Sequence, residues 1–131
     1  MKNLKSINVV AAIIKHQNKI LIAQRGYGEF KGMYEFPGGK IESGESHNVA
    51  LKRELMEEMN ADIEVDSFFY HVHYQYESFI LEMDCYLCHL NNDHIDLLEH
   101  TDYIWISLDK NNIPWVPADV EVFDELRKRG I

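Results

Sequence analysis

Two cysteines in 131 residues, Cys85 and Cys88, are too few and too close together to staple a secreted fold, which fits a reducing, cytoplasmic setting. Residues three apart on a strand point to opposite sides, and no second cysteine pair exists. Both thiols are therefore expected to be buried, not half of a zinc or redox motif. Positive charge is also scarce. Thirteen Lys and Arg stand against twenty-two Asp and Glu, a net charge of −9, which argues against binding duplex nucleic acid by neutralising its phosphates. A phosphate-bearing substrate would need its positive counterpart from elsewhere. No apolar run approaches the roughly eighteen residues of a membrane helix. The run from Val9 to Ile14 stops at Lys15 with no small-residue cleavage pattern beyond it, so neither a membrane nor a signal peptide is expected. Repeats, low-complexity tracts and linkers are missing as well. What remains, 46% hydrophobic and 27% charged residues, suits one compact domain over 1–131.

Ile7 to Lys15 and Lys19 to Gln24 are apolar stretches joined by the polar His16 to Asn18, the pattern of a hairpin. Arg25 to Gly32 is glycine-rich, and Phe36-Pro37-Gly38-Gly39 cannot be helix interior, so a loop or short strand is predicted there. Ser46 to Met59 lacks Gly and Pro and predicts a long helix with Ser46 as N-cap and Asn60 as stop. Ile63 to His73 and Ser78 to Leu90 predict two long strands joined near Gln75 to Glu77, and Tyr103 to Leu108 a short one. Pro117 opens a last helix in which Val120, Phe123 and Leu126 recur at helical spacing, up to the basic end Arg127, Lys128, Arg129. Strands, helix, strands, helix around one sheet system is an α+β or α/β fold and not a bundle.

At 100° per residue, Glu54, Glu57 and Glu58 fall within about 100° of arc on the central helix. Val49, Leu51, Leu55, Met56 and Met59 take the opposite side, interrupted only by Lys52. An acidic helix face is ordinarily just solvated. Like charges at i, i+3 and i+4 repel, however, and three together are better explained by hard cations, Mg²⁺ or Mn²⁺, held among carboxylate oxygens.

Upstream of that face stands Gly39-Lys40-Ile41-Glu42-Ser43-Gly44-Glu45, then seven residues, then Arg53-Glu54-Leu55-Met56-Glu57-Glu58. Here the chain resembles the Nudix hydrolase family, whose signature is G, five residues, E, seven residues, R-E, an aliphatic, any residue, E-E, any residue, G, an aliphatic. Gly39, Glu45, Arg53, Glu54, Leu55, Glu57 and Glu58 match at the required spacing. Two positions depart: Asn60 replaces Gly, and Ala61 a larger aliphatic. Asn is the next best residue for a left-handed helix stop, so the first departure is mild. Gln24-Arg25, Glu35 to Lys40 and Pro117-Ala118-Asp119 also occur in the order seen in MutT-like nucleoside triphosphate pyrophosphohydrolases.

The resemblance implies a mixed sheet between helices (an α/β/α sandwich) with a loop-helix-loop that binds Mg²⁺. It implies Glu54, Glu57 and Glu58 as metal ligands, Gly39 at the metal site, and Arg53 and Glu45 as groups that orient the carboxylates. Glu99 falls where such proteins place a further carboxylate, a metal ligand or general base; Glu54 is the other candidate base. Arg25 and Lys40 are positioned to reach phosphate oxygens. Asp119 stands where the family reads a nucleobase edge; a carboxylate there favours an amino or N–H donor, as on cytosine or a guanine-type ring. The alternative for Asp119 is capping of the last helix. Phe36, Tyr34 and Trp115 are candidates for stacking on a base.

The activity implied is Mg²⁺-dependent hydrolysis of a nucleoside triphosphate, 8-oxo-dGTP or another modified or canonical one, to the monophosphate and pyrophosphate. Alternatives are a CTP or dCTP preference, dinucleoside polyphosphate or ADP-ribose hydrolysis, and a non-catalytic nucleotide sensor. ADP-ribose members tend to carry a proline about fifteen residues after the signature, and the prolines here are Pro37, Pro114 and Pro117. A sensor would show lost carboxylates, and all three are present. The partner expected is a small nucleotide, with the chain a monomer or a homodimer. His71 and His73 share a strand face, as do Phe68, Tyr70, Tyr74 and Tyr76; both sets are expected to be sheet packing or surface.

Overall fold

The computed structural model describes residues 3–131, so Met1 and Lys2 of the expected domain lie outside the described residues. The elements are β1 (Lys5–His16), β2 (Lys19–Gln24), β3 (Tyr34–Glu35), β4 (Gly38–Lys40), α1 (His47–Met59), β5 (Ile63–Gln75), β6 (Phe79–Leu90), β7 (Asp102–Ile106), a 3-10 turn (Pro117–Asp119) and α2 (Val120–Arg129). The strands line up as β3-β2-β1-β6-β5, with β4 beside β1 and β7 beside β2. β1 and β6 run parallel and the other pairs antiparallel, which makes the sheet mixed and the fold α+β.

β1 is central because it is apolar on both faces, and every residue from Val10 to Ile14 is buried. Ala11 and Ile13 face a core shared with Val122, Phe123 and Leu126 of α2. Val10, Ala12 and Ile14 face a second core with Ala50, Leu51, Leu55 and Met59 of α1. One helix thus covers each face of the sheet, as the sandwich requires. Cys85 joins the α2-side core and Cys88 the α1-side core, both free and buried, as their spacing predicts.

The predicted hairpin exists but is short. Gln17 and Asn18 adopt φ of 50° and 64°, the left-handed pair of a type I′ turn, and only Lys15↔Ile20 and His16↔Lys19 pair across it. The strands then part, because β4 pairs with β1 at Val9 to Ala11 and β7 with β2 from Ile20 to Gln24. α1 starts and stops as its sequence predicts: Ser46 Oγ accepts from the Val49 N–H, and Asn60 sits at φ 51° with its N–H bonded back into the last turn.

Four apolar assignments need correction. Val49 and Met56, expected on the core side of α1, are exposed, because they lie at the margin of its apolar arc and the buried face centres on Leu51, Leu55 and Met59. Val120, expected in the core stripe of α2, is exposed, because the Pro117–Asp119 turn is wound at three residues per turn and brings Ala118 inward instead; Val122 joins Phe123 and Leu126. Phe68 does not share a face with Tyr70, Tyr74 and Tyr76. Register shifts between Val65 and Ser67 and between Phe68 and Tyr70 turn its ring onto Tyr86, while the tyrosines pack on the α2-side core. His71 and His73 lie at the sheet surface, paired across strands with Asp84 and Glu82, and Asp84 raises the His71 pKa by hydrogen bonding. Among the described residues no helix is long and apolar enough to cross a membrane.

Candidate active site

A cleft of about 820 Å³ opens where α1, β4 and the loop after β6 come together. α1 contributes Arg53, Glu54, Glu57 and Glu58, β4 contributes Gly38 to Lys40, and the loop after β6 contributes Glu99 and His100. Arg25, Glu35, Phe36 and Asp119 line its inner part.

Two glycines let β4 fit between β1 and the acidic helix face. A Cβ on Gly38 would lie 1.9 Å from the Val10 carbonyl oxygen, and one on Gly39 would lie 2.3 Å from the Glu54 carboxyl carbon. Arg53 organises the carboxylates. Its Nε and Nη2 fork onto Glu45 at 2.6 and 2.9 Å, Nη1 reaches Glu54 at 2.9 Å and Glu57 at 3.2 Å, and Nη2 also donates to the Lys40 carbonyl at 3.0 Å. The Glu45 carboxyl is thereby held below its ordinary pKa, and Arg53 above its own. Glu54 shifts the other way: burial raises it, the Glu57 and Glu99 charges add to the rise, and Arg53 opposes it.

Glu58 is the most strained member. Only 7% exposed, its carboxyl is pushed up to about 9 by burial, aided by the charges of Glu35, Glu54 and Glu99 and opposed by a hydrogen bond from the Gly38 backbone. Among the described residues its buried Oε2 has no partner. A hard cation among these oxygens would relieve both penalties, so the donor set fits Mg²⁺ or Mn²⁺. Among the described residues no three metal-ligating side chains converge on one point, Glu54 and Glu57 being drawn onto Arg53.

Deeper in, Arg25 Nη1 binds Glu35 Oε1 at 3.0 Å, and His100 Nε2 binds Glu35 Oε2 at 2.9 Å. Burial works against the Arg25 charge, but Glu35 outweighs it and the net pKa is raised. Arg25 Nε and His100 Nδ1 have no partner among the described residues; like Glu58 Oε2 they belong to residues lining the cleft. Asp119 is 4% exposed, and its Oδ2 accepts from the Phe36 N–H at 2.8 Å. Burial, with Glu35 nearby, raises its pKa well above the usual range.

Of the site residues singled out in the sequence, Glu45, Tyr34 and Trp115 do not line this cleft; Glu45 acts on it through Arg53. Several roles nevertheless change. Asp119 makes no side-chain cap to α2, because its carboxyl is turned onto the Phe36 backbone. The Phe36 ring stacks on Trp115 at 5.1 Å, and Trp115 in turn meets Phe123 at 5.0 Å, so these two rings are spent in the core. Tyr34 points its hydroxyl at Asp102. Tyr76, read as sheet packing, lines the cleft, as do Phe30 and Phe79. Glu35 and His100 went unassigned; both flank assigned residues, Phe36 and Glu99, and that adjacency was the available signal.

A family model of the NUDIX domain matches residues 9–123. The CTP pyrophosphohydrolase of Escherichia coli strain K12 is 34% identical over 125 residues, covering 92% of this chain and 91% of that one. An 8-oxo-dGTP diphosphatase of Buchnera aphidicola is 34% identical over 107 residues, 81% of each. Among solved structures, the E. coli ORF135 protein superposes with a TM-score of 0.82 at 31% identity, over 98% of this chain and 93% of that one. The MutT protein of methicillin-resistant Staphylococcus aureus 252 gives 0.75 at 38% identity, over 97% and 99%. With the signature at full spacing and its carboxylates gathered at one cleft, the chain belongs to the Nudix hydrolase family.

Proposed function

We propose that the chain hydrolyses a nucleoside triphosphate to the monophosphate and pyrophosphate. The observation that supports this reading is the continuity of the cleft, which joins the buried carboxyl of Asp119 to the carboxylates of Glu54, Glu57, Glu58 and Glu99. One end suits a nucleobase edge and the other a polyphosphate. Glu54, Glu57 and Glu58, with the Gly39 backbone, would hold a divalent cation, which supplies charge neutralisation and a more acidic water when bound. Arg53 and Glu45 keep those carboxylates in place. Lys40, next to Gly39 at the carboxylate end, brings positive charge that stabilises the departing pyrophosphate, while Arg25 is held by Glu35 in the inner part of the cleft. Glu99 makes no ion pair or side-chain hydrogen bond among the described residues, whereas Glu54 is tied to Arg53, so Glu99 is the group that takes the proton of the attacking water.

Asp119 selects the base. Its position favours a ring edge that offers an amino or N–H group, which both cytosine and a guanine-type ring present. The relatives carry the same two names, CTP pyrophosphohydrolase and 8-oxo-dGTP diphosphatase. The test is a Mg²⁺-dependent panel of 8-oxo-dGTP, dGTP, dCTP, CTP, ADP-ribose and diadenosine tetraphosphate with Glu57→Ala as control. Selective turnover of one triphosphate to monophosphate and pyrophosphate, abolished in the variant, is expected. Turnover of none, or equal turnover by the variant, overturns the reading.

A further inference from the structure

The tip of the β5–β6 hairpin forms an aromatic wall at the cleft. The Tyr76 N–H donates to the Phe79 carbonyl at 2.8 Å, closing the tip, and the two rings stack at 5.0 Å with 27° between their planes. Phe30, from the β2–β3 loop, meets Tyr76 at 5.4 Å, and all three rings line the cleft. Tyr76 is enclosed by its neighbours: Phe30, Phe79 and Tyr74 all press on it. Phe79 is not. It is half-buried, and among the described residues Tyr76 is its only aromatic contact. Strand alternation puts Phe79 on the same side of β6 as Leu81 and Met83, which also line the cleft. The result is a flat apolar strip that ends in an aromatic ring.

The strip is held in register with Asp119. The Tyr76 hydroxyl accepts from the Ala118 N–H at 3.1 Å, so the tyrosine that backs Phe79 is tied to the turn carrying the Asp119 carboxyl. A ring face and a carboxyl lining the same cleft can recognise a planar heteroaromatic ring, one by stacking and the other along its edge. Of the three rings named as stacking candidates from the sequence, Phe36 and Trp115 are occupied by each other, and Tyr34 lies outside the cleft with its hydroxyl on Asp102.

Building on the nucleoside triphosphate reading above, we propose that Phe79, backed by Tyr76, is the surface on which the nucleobase stacks while Asp119 reads its edge. Phe79 then supplies affinity shared by all bases, because every base has a π face, and Asp119 supplies the choice among them. Loss of Phe79 raises KM with little change in kcat, the signature of binding expressed equally in ground and transition states.

The test titrates wild type, Phe79→Ala, Phe79→Leu and Phe79→Trp, each with Mg²⁺, against α,β-methylene analogues of CTP and dGTP and against inorganic tripolyphosphate, which has no base. Phe79→Ala is expected to weaken both analogues by about ten- to a hundredfold and to leave tripolyphosphate within about twofold. Phe79→Leu falls between, and Phe79→Trp restores binding. Wild-type affinity for the analogues in Phe79→Ala overturns the proposal and leaves triphosphate hydrolysis standing. Equal weakening of tripolyphosphate makes Phe79 a structural residue and also overturns it. If wild type binds neither analogue and hydrolyses no triphosphate, the nucleotide reading itself fails; that outcome is read from wild type alone.

Discussion

Gly39 has no side chain because Glu54 occupies the space one would need. A Cβ there falls within 2.7 Å of the Glu54 carboxyl carbon and both its oxygens, so Gly39→Ala must displace the carboxylate. Activity is expected to fall at least tenfold, while urea unfolding shows a loss of only about 1 kcal/mol, since the displaced group is polar and sits at the cleft. Glu58 carries the opposite conflict, a charge demanded for function in a place that disfavours it. Glu58→Gln is expected to lower kcat/KM by at least about a hundredfold and to leave the metal-free protein as stable as wild type or more so near neutral pH. A variant destabilised in the absence of metal would contradict this account of the buried carboxyl.

At the scale of elements, α1 is held at both ends by chemistry that its sequence displays. Ser46 caps the start, and Asn60 closes the end in the left-handed conformation that the signature otherwise gives to glycine. Asn60 also does what glycine cannot: its Nδ2 donates to Asp96 at 3.0 Å, tying the helix end to the loop that leads to Glu99. Asn60→Ala meets the left-handed penalty and loses that bond, and a destabilisation of about 1–2 kcal/mol is expected in urea. Asn60→Gly loses the bond but gains backbone freedom, and stays within about 0.5 kcal/mol of wild type. The register shifts of β5 had no such signal. A bulge depends on which strand lies alongside, so the alternation of Phe68 with the tyrosines in the sequence could not reveal that Phe68 turns away.

For the whole molecule, the cleft links stability to pH. The Glu58 pKa lies near 9 in the folded chain against 4.5 for the ordinary carboxyl. Its contribution to stability is therefore fully present below pH 4.5 and lost as pH rises through 9. Glu54 and Asp119 are raised as well and act in the same sense. Glu45, Glu64 and Asp96 are lowered, so their contribution is present above the ordinary carboxyl pKa and lost as pH falls through their lowered values. Metal-free protein is expected to show a Tm that declines between pH 5 and 9, with a shallower decline in Glu58→Gln. Mg²⁺ raises Tm more at the alkaline end, because the ligands need no longer give up a proton to receive it. Equal Mg²⁺ stabilisation at both ends of that range would contradict the assignment of Glu58.

The sequence by itself determined the order of elements, the limits of α1, the burial of Cys85 and Cys88, and the helix carboxylates Glu54, Glu57 and Glu58 of the cleft. These follow from local periodicity, from capping residues, and from a motif whose members lie within twenty residues of one another. Only the tertiary structure decided what each ring and each isolated polar group does. Phe36 and Trp115 find each other across the fold, Asp119 bonds to a backbone N–H eighty-three residues away, and Glu35 is gripped by Arg25 and His100 from two different segments. Such roles depend on distances between positions remote in the chain, and no local pattern encodes those distances.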